Sequence, residues 1–391
     1  MSQLLNERWS DTKEALLEGL QGTRRSSMSV CLENTRRHLV ESASAGATSA
    51  GNIATLNRVI LPVIRRVMPT VIANEIVGVQ PMTGPVAQIH TLRVRYADSG
   101  ANVVAGEEAL SPFKIAAAYS GNDNDTTPKA NSTGAMEGTP GRRMSIQILK
   151  SPVEAKSRKL SARWTFEAAQ DAQAQQGIDI EAEIMAALAQ EITTEIDQEI
   201  LASLRALASV EQTYDQSLVS GTATFVGDEH AALAIQINRV SNLIAQRTRR
   251  GSGNWAVVSN QALTILQSAT TSAFARTTEG TFEAPTNTKF VGTLNGAMRV
   301  YVDAYRPDTD DDNQVLIGYK GSSEADAAAF YCPYIPLMSS GVVLDPSTFE
   351  PVVGFLTRYG YVELTNTASS LGNAADYLGK VKIVSSNVSF K

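Results

Sequence analysis

Apolar positions along this chain change period several times, and each change predicts an element. Ile53, Leu56, Ile60, Val63 and Val67 recur at helical spacing, with Pro62 expected to kink that helix and Pro69 to end it. Leu92, Val94 and Tyr96 then alternate with Thr91, Arg93 and Arg95, the period of a half-buried strand. Alternation resumes at Met144, Ile146 and Ile148, and again at Arg158, Leu160, Ala162 and Trp164. Residues 99–142 between them are rich in Gly, Ser, Asn and Thr and show little periodicity. A structureless loop of that length is unusual inside a compact domain, so the pattern predicts a long two-stranded finger with a polar tip.

The clearest helix covers 178–208, where apolar residues recur at Ile180, Ile184, Leu188, Ile192, Ile196, Ile200 and Leu204. A stripe stepping by four advances about 400° per step, so it winds around the helix and needs several packing partners, as a spine does. Ahead of it, residues 1–43 read as an amphipathic arm in two pieces. Ser10 is expected to cap the first piece and Arg24-Arg25-Ser26 to break it. Residues 44–55 are small and predict a hinge. A second compact unit is expected over about 210–350. In it, Asp228 caps a helix stopped by Gly251, Asn254–Ser259 forms a strand, and Ser259 caps another helix. Asn295-Gly296 between apolar runs signals a hairpin, and VLIGY a further strand. Residues 351–391 add strand-like stretches. The mixture has no βαβ rhythm and no internal repeat, which argues for an α+β fold.

The stretch GYKGSSEADAAAFYCPYIPL, 318–337, opens a run without charge from Ala327 to Leu344. Pro333, Pro336 and Gly341 lie inside it, so a lipid-exposed helix would leave backbone groups unpaired, and a packing surface is the expectation. The N-terminus lacks the basic-then-apolar order of a signal peptide. The 391 residues are 43% hydrophobic and 19% charged, a globular balance, and the net charge of −6 gives no general attraction to nucleic acid. Two cysteines, Cys31 and Cys332, provide no disulfide framework and are expected as buried thiols.

Catalytic and metal chemistry finds little support. His38, His90 and His230 share no ligand spacing, and no G-x-S-x-G or phosphate loop is present. GSGNWA, 251–256, follows a helix rather than a strand, so it is a helix stop and not a dinucleotide turn. The acidic 308–313 segment has Asn313 where a calcium loop needs glycine and Tyr319 where it needs glutamate. No cofactor is expected. Charge is more informative. Arg142, Arg143, Lys150, Lys156, Arg158, Lys159 and Arg163 stand against one acid, Glu154, on the returning arm of the finger. Asp179, Glu181, Glu183, Glu191, Glu195, Asp197 and Glu199 occupy the spine with no base. Opposite single-sign charge suggests docking, either within the chain or between chains, where it would set register more than affinity.

RRVMPTVIANEIVGVQPMTGP (65–85), SPVEAKSRKLSARWTFEAAQD (151–171), GYKGSSEADAAAFYCPYIPL and VVGFLTRYGYVE (352–363) resemble, in order, segments of the major capsid proteins of large contractile-tailed phages. The resemblance implies the Hong Kong 97-type capsid fold. Its parts would be an N-terminal arm (1–70), a segment leading into the peripheral domain (71–85) and an extended loop (86–165, tip 99–142). A peripheral domain with its spine helix (166–209), an axial domain (210–350) and return strands (351–391) would follow. It also implies a structural, non-enzymatic protein. Such subunits form hexamers and pentamers of an icosahedral shell around double-stranded DNA, assembled in the bacterial cytoplasm with scaffold, portal and decoration proteins. On that view Phe330, Tyr331, Pro333, Tyr334 and Pro336 are packing residues, and the basic base of the finger meets the acidic spine of a neighbouring subunit. Glu41-Ser42 is a candidate processing site, since Leu39-Val40-Glu41 fits the apolar-x-Glu pattern of head-maturation cleavage. Alternatives are an encapsulin-type compartment shell, which a neighbouring cargo enzyme would favour, and a cytoplasmic α+β enzyme, which activity of an isolated monomer would favour.

Overall fold

A computed structural model describes residues 9, 13, 14, 16, 17, 20–44, 71–100, 103–109, 119–121, 130–138, 140–176, 179–219, 226–269, 274–276, 289–306, 313–324, 326–348, 350–365 and 373–388. The expected 53–67 helix, the Ser10 cap, the 45–55 part of the hinge and most of the 308–313 turn lie outside these residues. The chain forms two compact units. One takes Met1–Ala87, Val153–Ala202 and Phe330–Val362, and the other takes Gln88–Pro152, Ser203–Ala329 and Glu363–Lys391.

The first unit is built on a four-stranded sheet of order β1-β11-β12-β4, with β1 Gly78–Val79, β4 Lys156–Arg163, β11 Ala329–Leu344 and β12 Pro351–Glu363. Strand β12 alternates as its sequence requires: Pro351, Val353, Phe355, Thr357 and Tyr359 are buried and the residues between them half-buried. It pairs antiparallel with β4, Phe355 opposite Leu160. Strand β11 is buried from Ala329 through Pro333 and from Ile335 through Leu337, so the uncharged run is interior sheet. Its pairing with β1 is parallel and short, Gly78 with Phe330 and Val79 with Tyr331. Pro333 has no N–H to return, so the ladder stops there. The amides of Gln80 and Met82 still donate to the Tyr331 and Pro333 carbonyls, at 3.0 and 2.9 Å.

Helix α1, Gly22–Ser44, packs into this unit through Met28, Cys31, Leu32 and Thr35, all buried and spaced by three and four residues. It corrects the expected break: Arg24-Arg25-Ser26 are helical, and the chain turns instead at Gly22, whose φ of +60° suits glycine. Helix α2 covers Phe166–Gln176 and α3, the expected spine, Ile180–Leu207. In the first unit α3 buries Met185, Leu188, Ala189, Ile192, Ile196 and Ile200, whereas Ile180 and Ile184, at the start of the stripe, are only half-buried.

The second unit carries a seven-stranded mixed sheet of order β5-β13-β10-β6-β9-β8-β7. Its strands are β5 Val210–Tyr214, β6 Trp255–Val258, β7 Phe274–Arg276, β8 Lys289–Leu294, β9 Met298–Val302, β10 Gln314–Gly318 and β13 Leu378–Ile383. Helices α4 (Val226–Thr248) and α5 (Asn260–Ser268) cover it, and their Leu233, Ile237, Val240, Ile244 and Ile265 join Val258, Val300, Val315 and Val381 in one core. Ser259 caps α5 as expected, accepting from the Ala262 amide at 3.2 Å. Asn295 and Gly296, with φ of 54° and 69°, turn β8 into β9 as the hairpin signal predicts. At the finger, β2 (Val86–Tyr96) and β3 (Met144–Glu154) form a two-stranded ribbon. Its tip has a small core of Tyr96, Val103, Ala109 and Tyr119, with the two tyrosine rings 4.5 Å apart.

Several boundaries differ from the sequence reading. The finger arm ends at Glu154, because Lys156–Arg163 leaves it to pair with β12. Residues 330–350 belong with the first unit rather than with 210–329, and 363–391 turns back into the second unit, where β13 pairs with β10 and β5. Hydrophobic alternation marks a strand without saying which sheet it enters, and here two strands contiguous with one element join another.

Within the second unit, Gly318 lies opposite Trp255 in register, and the indole occupies the space a Cβ at 318 would need. Gly318→Ala is expected to destabilise the protein by about 1–3 kcal/mol through overpacking. A thermal melt followed by circular dichroism would show a lowered Tm.

Candidate functional site

The basic set divides according to where each residue is held. Arg143 closes the finger tip: its amide donates to the Asp98 carboxylate at 2.9 Å and its guanidinium pairs with it at 3.2 Å. These bonds hold the Asp98 carboxyl below the usual carboxylate range, the backbone hydrogen bond contributing most. Arg142 donates to the Tyr119 carbonyl at 3.4 Å and lies 5.5 Å from the centre of its ring. Arg163 approaches Glu350 at 3.9 Å. Lys150, Lys156 and Lys159 are exposed.

Arg158 brings β4 to the spine of its own chain. One guanidinium nitrogen lies 2.7 Å from Glu195 and another 2.5 Å from Glu199, while Nε donates to the Tyr359 hydroxyl at 2.6 Å. The Tyr359 hydroxyl in turn donates to Glu199. Helical spacing makes this possible, since Glu195 and Glu199 are one turn apart on α3. The Tyr359 ring packs 5.5 Å from that of buried Tyr331. Burial pushes the Tyr359 hydroxyl up to about 12, and its bond to Glu199 adds to the effect. Burial alone would raise the Glu199 carboxyl, but hydrogen bonds from Tyr359 and Arg158 outweigh it and leave the group lowered.

The acidic set also divides. Asp179 stands just before α3, where its carboxylate accepts from the Glu181 amide at 3.1 Å. Glu183 and Glu191 are exposed and Glu181 half-buried. Asp197 does not belong to the outward face: it is buried and accepts from the Ile72 amide at 2.9 Å, anchoring the helical turn Ala73–Ile76. In the packing set, Phe330, Tyr331, Pro333 and Pro336 are buried and Tyr334 half-buried, with Arg358 5.3 Å over the Tyr334 ring. Glu41 and Ser42 lie on the helical backbone of α1, and their side chains are outside the described residues.

Functional candidates that composition and charge do not mark include Asn34, whose amide donates to the Met82 and Tyr334 carbonyls at 2.6 and 3.1 Å. The apolar side chains of Met144, Ile146 and Ile148 are all exposed, 49, 70 and 61%, along β3. Their alternation was visible in the sequence, but not which face would be left open. Cys31 and Cys332 are free and buried, and burial raises both thiols, Cys332 to about 12. Among the described residues no helix is long and apolar enough to cross a membrane, and no group of His, Cys, Asp and Glu is placed to hold a metal.

The Arg158 network should couple stability to pH. Because Glu199 is lowered in the folded chain, its contribution is present above the ordinary glutamate value of 4.5 and is lost as pH falls through the folded value. Denaturant titrations of the wild type and Glu199→Gln should differ by about 1 kcal/mol at neutral pH, the scale of a part-exposed pair. That gap should close as the pH is taken below 4.5.

The major capsid protein Gp23 family matches residues 53–138 and 122–383. The major capsid protein of Vibrio phage KVP40 is 28% identical over 500 aligned positions covering 95% of this chain and 96% of that protein. That of Enterobacteria phage T4 is 29% identical, covering 81% and 77% respectively. Among solved structures, the capsid of Myoviridae phage XM1 aligns with a TM-score of 0.42 at 10% identity, covering 78% of this chain and 88% of that one. The chain belongs to the major capsid protein Gp23 family, whose members build the heads of tailed phages.

Proposed function

We propose that this chain is the self-assembling subunit of a Hong Kong 97-type icosahedral shell. Hexamers and pentamers of it would enclose double-stranded DNA, assembling in the host cytoplasm with scaffold, portal and decoration proteins and without catalysis. The observation that carries the subunit reading is the exposed stripe Met144, Ile146 and Ile148 on a two-stranded ribbon. A two-stranded ribbon is marginal alone, and three large apolar residues on one exposed face need a cover. Membership of a capsid family supports a neighbouring subunit as that cover, with the finger lying across it in the proposed assembly. Lys150, Lys156 and Lys159, exposed on the same arm and on β4, remain available to acidic residues of a neighbour such as Glu183 and Glu191. Arg158 is held by its own chain. The −6 net charge suits a container that releases its genome, since a wall without broad positive charge gives DNA no counterion-release gain. Head-maturation cleavage after Glu41 would require the end of α1 to unwind, because its backbone is helical there.

Negative-stain electron microscopy and size-exclusion chromatography of the purified chain test this directly. Shells, tubes or six-fold rings are expected, and a monomer at high concentration counts against the reading. Ile146→Asp should abolish those particles while leaving the melting temperature within a few degrees, because the side chain is already exposed. Particles of normal yield from that variant would remove the ribbon from the interface.

A further inference from the structure

The hairpin joining β11 to β12 carries a second unexplained apolar surface. Val342, Val343 and Leu344 follow one another at its tip and are 40, 57 and 51% exposed. Consecutive strand residues point to opposite faces, so no single packing partner within a sheet could cover all three. The tip is firmly shaped. Gly341, at φ +72°, turns the strand, and the Asp345 carboxylate accepts from the Ser347 amide and hydroxyl at 2.9 and 2.6 Å. The Asp345 amide closes the turn on the Glu350 carbonyl at 3.0 Å.

Farther down the same sheet is a groove of about 370 Å³, lined by Lys159, Leu160, Ser161, Met338, Gly354, Phe355 and Leu356. It owes its opening partly to Gly354, where a Cβ would meet nothing closer than Ser340 at 3.4 Å. The volume suits two aliphatic side chains. Its wall carries an exposed cation, Lys159, and the tip carries an anion, Asp345.

We propose that the Val342–Leu344 tip of one copy inserts into the Lys159–Gly354–Leu356 groove of a second copy, with Asp345 facing Lys159. The inference rests on the assembly reading and adds a specific contact to it. Tip and groove are different surfaces of one unit, so the contact is heterologous: it propagates from copy to copy and closes into a ring wherever the rotation permits. A preformed turn gives up little freedom on docking, which favours an ordered closed array over a loose aggregate.

The test combines two blocking variants with a cross-link, all in the full-length chain. Val343→Asp places a charge on the tip, and Gly354→Leu fills the groove from a position where an added Cβ makes only ordinary contact with Ser340. Each should lower the yield of sedimenting particles at least about tenfold, a loss of ~1.4 kcal/mol in association, with melting temperature unchanged. Bis-maleimide applied to particles of the Val343→Cys/Ser161→Cys chain should give a ladder of covalent oligomers. Each single cysteine should give none, since Cys31 and Cys332 are buried thiols. If Val343→Asp misfolds, Gly354→Leu and the cross-link still decide. Wild-type particles together with normal yields from both variants and no ladder overturn this contact alone. A wild type that stays monomeric overturns the assembly reading and this contact with it.

Discussion

Two prolines inside a sheet set the terms for the first unit. Pro333 and Pro336 cannot donate to a neighbouring strand, so β11 cannot carry a full ladder along its length. Its carbonyls still need donors, because a buried unsatisfied carbonyl costs about 1–3 kcal/mol. They are supplied from elsewhere in the unit: Gln80 to Tyr331, Met82 to Pro333, the Asn34 amide to Tyr334 and, more weakly, the Cys31 thiol to Pro333. Two of those donors sit on α1, one turn apart with Cys31 first. The N-terminal helix is held against the sheet by the burial of Met28, Cys31 and Leu32, and its Asn34 and Cys31 also serve β11 carbonyls that the short β1 does not reach.

The opposite side of the unit is fixed by charge. Arg158 spends its guanidinium on two carboxylates and a tyrosine of the same chain, and Tyr359 links that surface network to the enclosed Tyr331. The pairing joins β4, β12 and α3, so it sets the register of a sheet edge against a helix. Among the described residues β4 is the last strand in its sheet, and its bases do a second thing there. Exposed Lys156 and Lys159 make the free edge a poor template for another strand, a common guard against edge-to-edge aggregation.

Local elements are legible in the sequence wherever one chemical signal suffices. The 3.6-residue stripe places α3 within two residues of its observed ends, Ser259 caps α5, and Asn295-Gly296 turns a hairpin. Long-range choices are not legible in that way. Nothing in Lys156–Arg163 says that it abandons its ribbon for β12, since either pairing satisfies its alternation. Charge counts suffer from the same limit. Seven acids on the spine look equivalent in the sequence, yet Asp197 faces inward to an amide 125 residues earlier. Helical spacing is the signal that separates it from Glu195 and Glu199: Thr193 and Leu201, four residues to either side of it, are both buried. The prolines mislead in the other direction: they argue against a central strand, and only the missing ladder beside Pro333 reconciles them with one.

What remains exposed then has a clear logic. Salt bridges close the finger tip and fix the β4 register inside the chain, while the apolar groups of the ribbon and of the β11–β12 tip stay in solvent. An isolated subunit with such surfaces risks indiscriminate sticking. Two features limit it. The apolar groups are few and flanked by lysines or acids, so a wrong partner must desolvate or oppose a charge to reach them. They also stand on shaped hairpins rather than flat faces, so a partner must offer a matching hollow. Weak contacts of this kind, repeated around a closed ring, become strong together through multivalency while each stays reversible enough to correct a misplaced subunit.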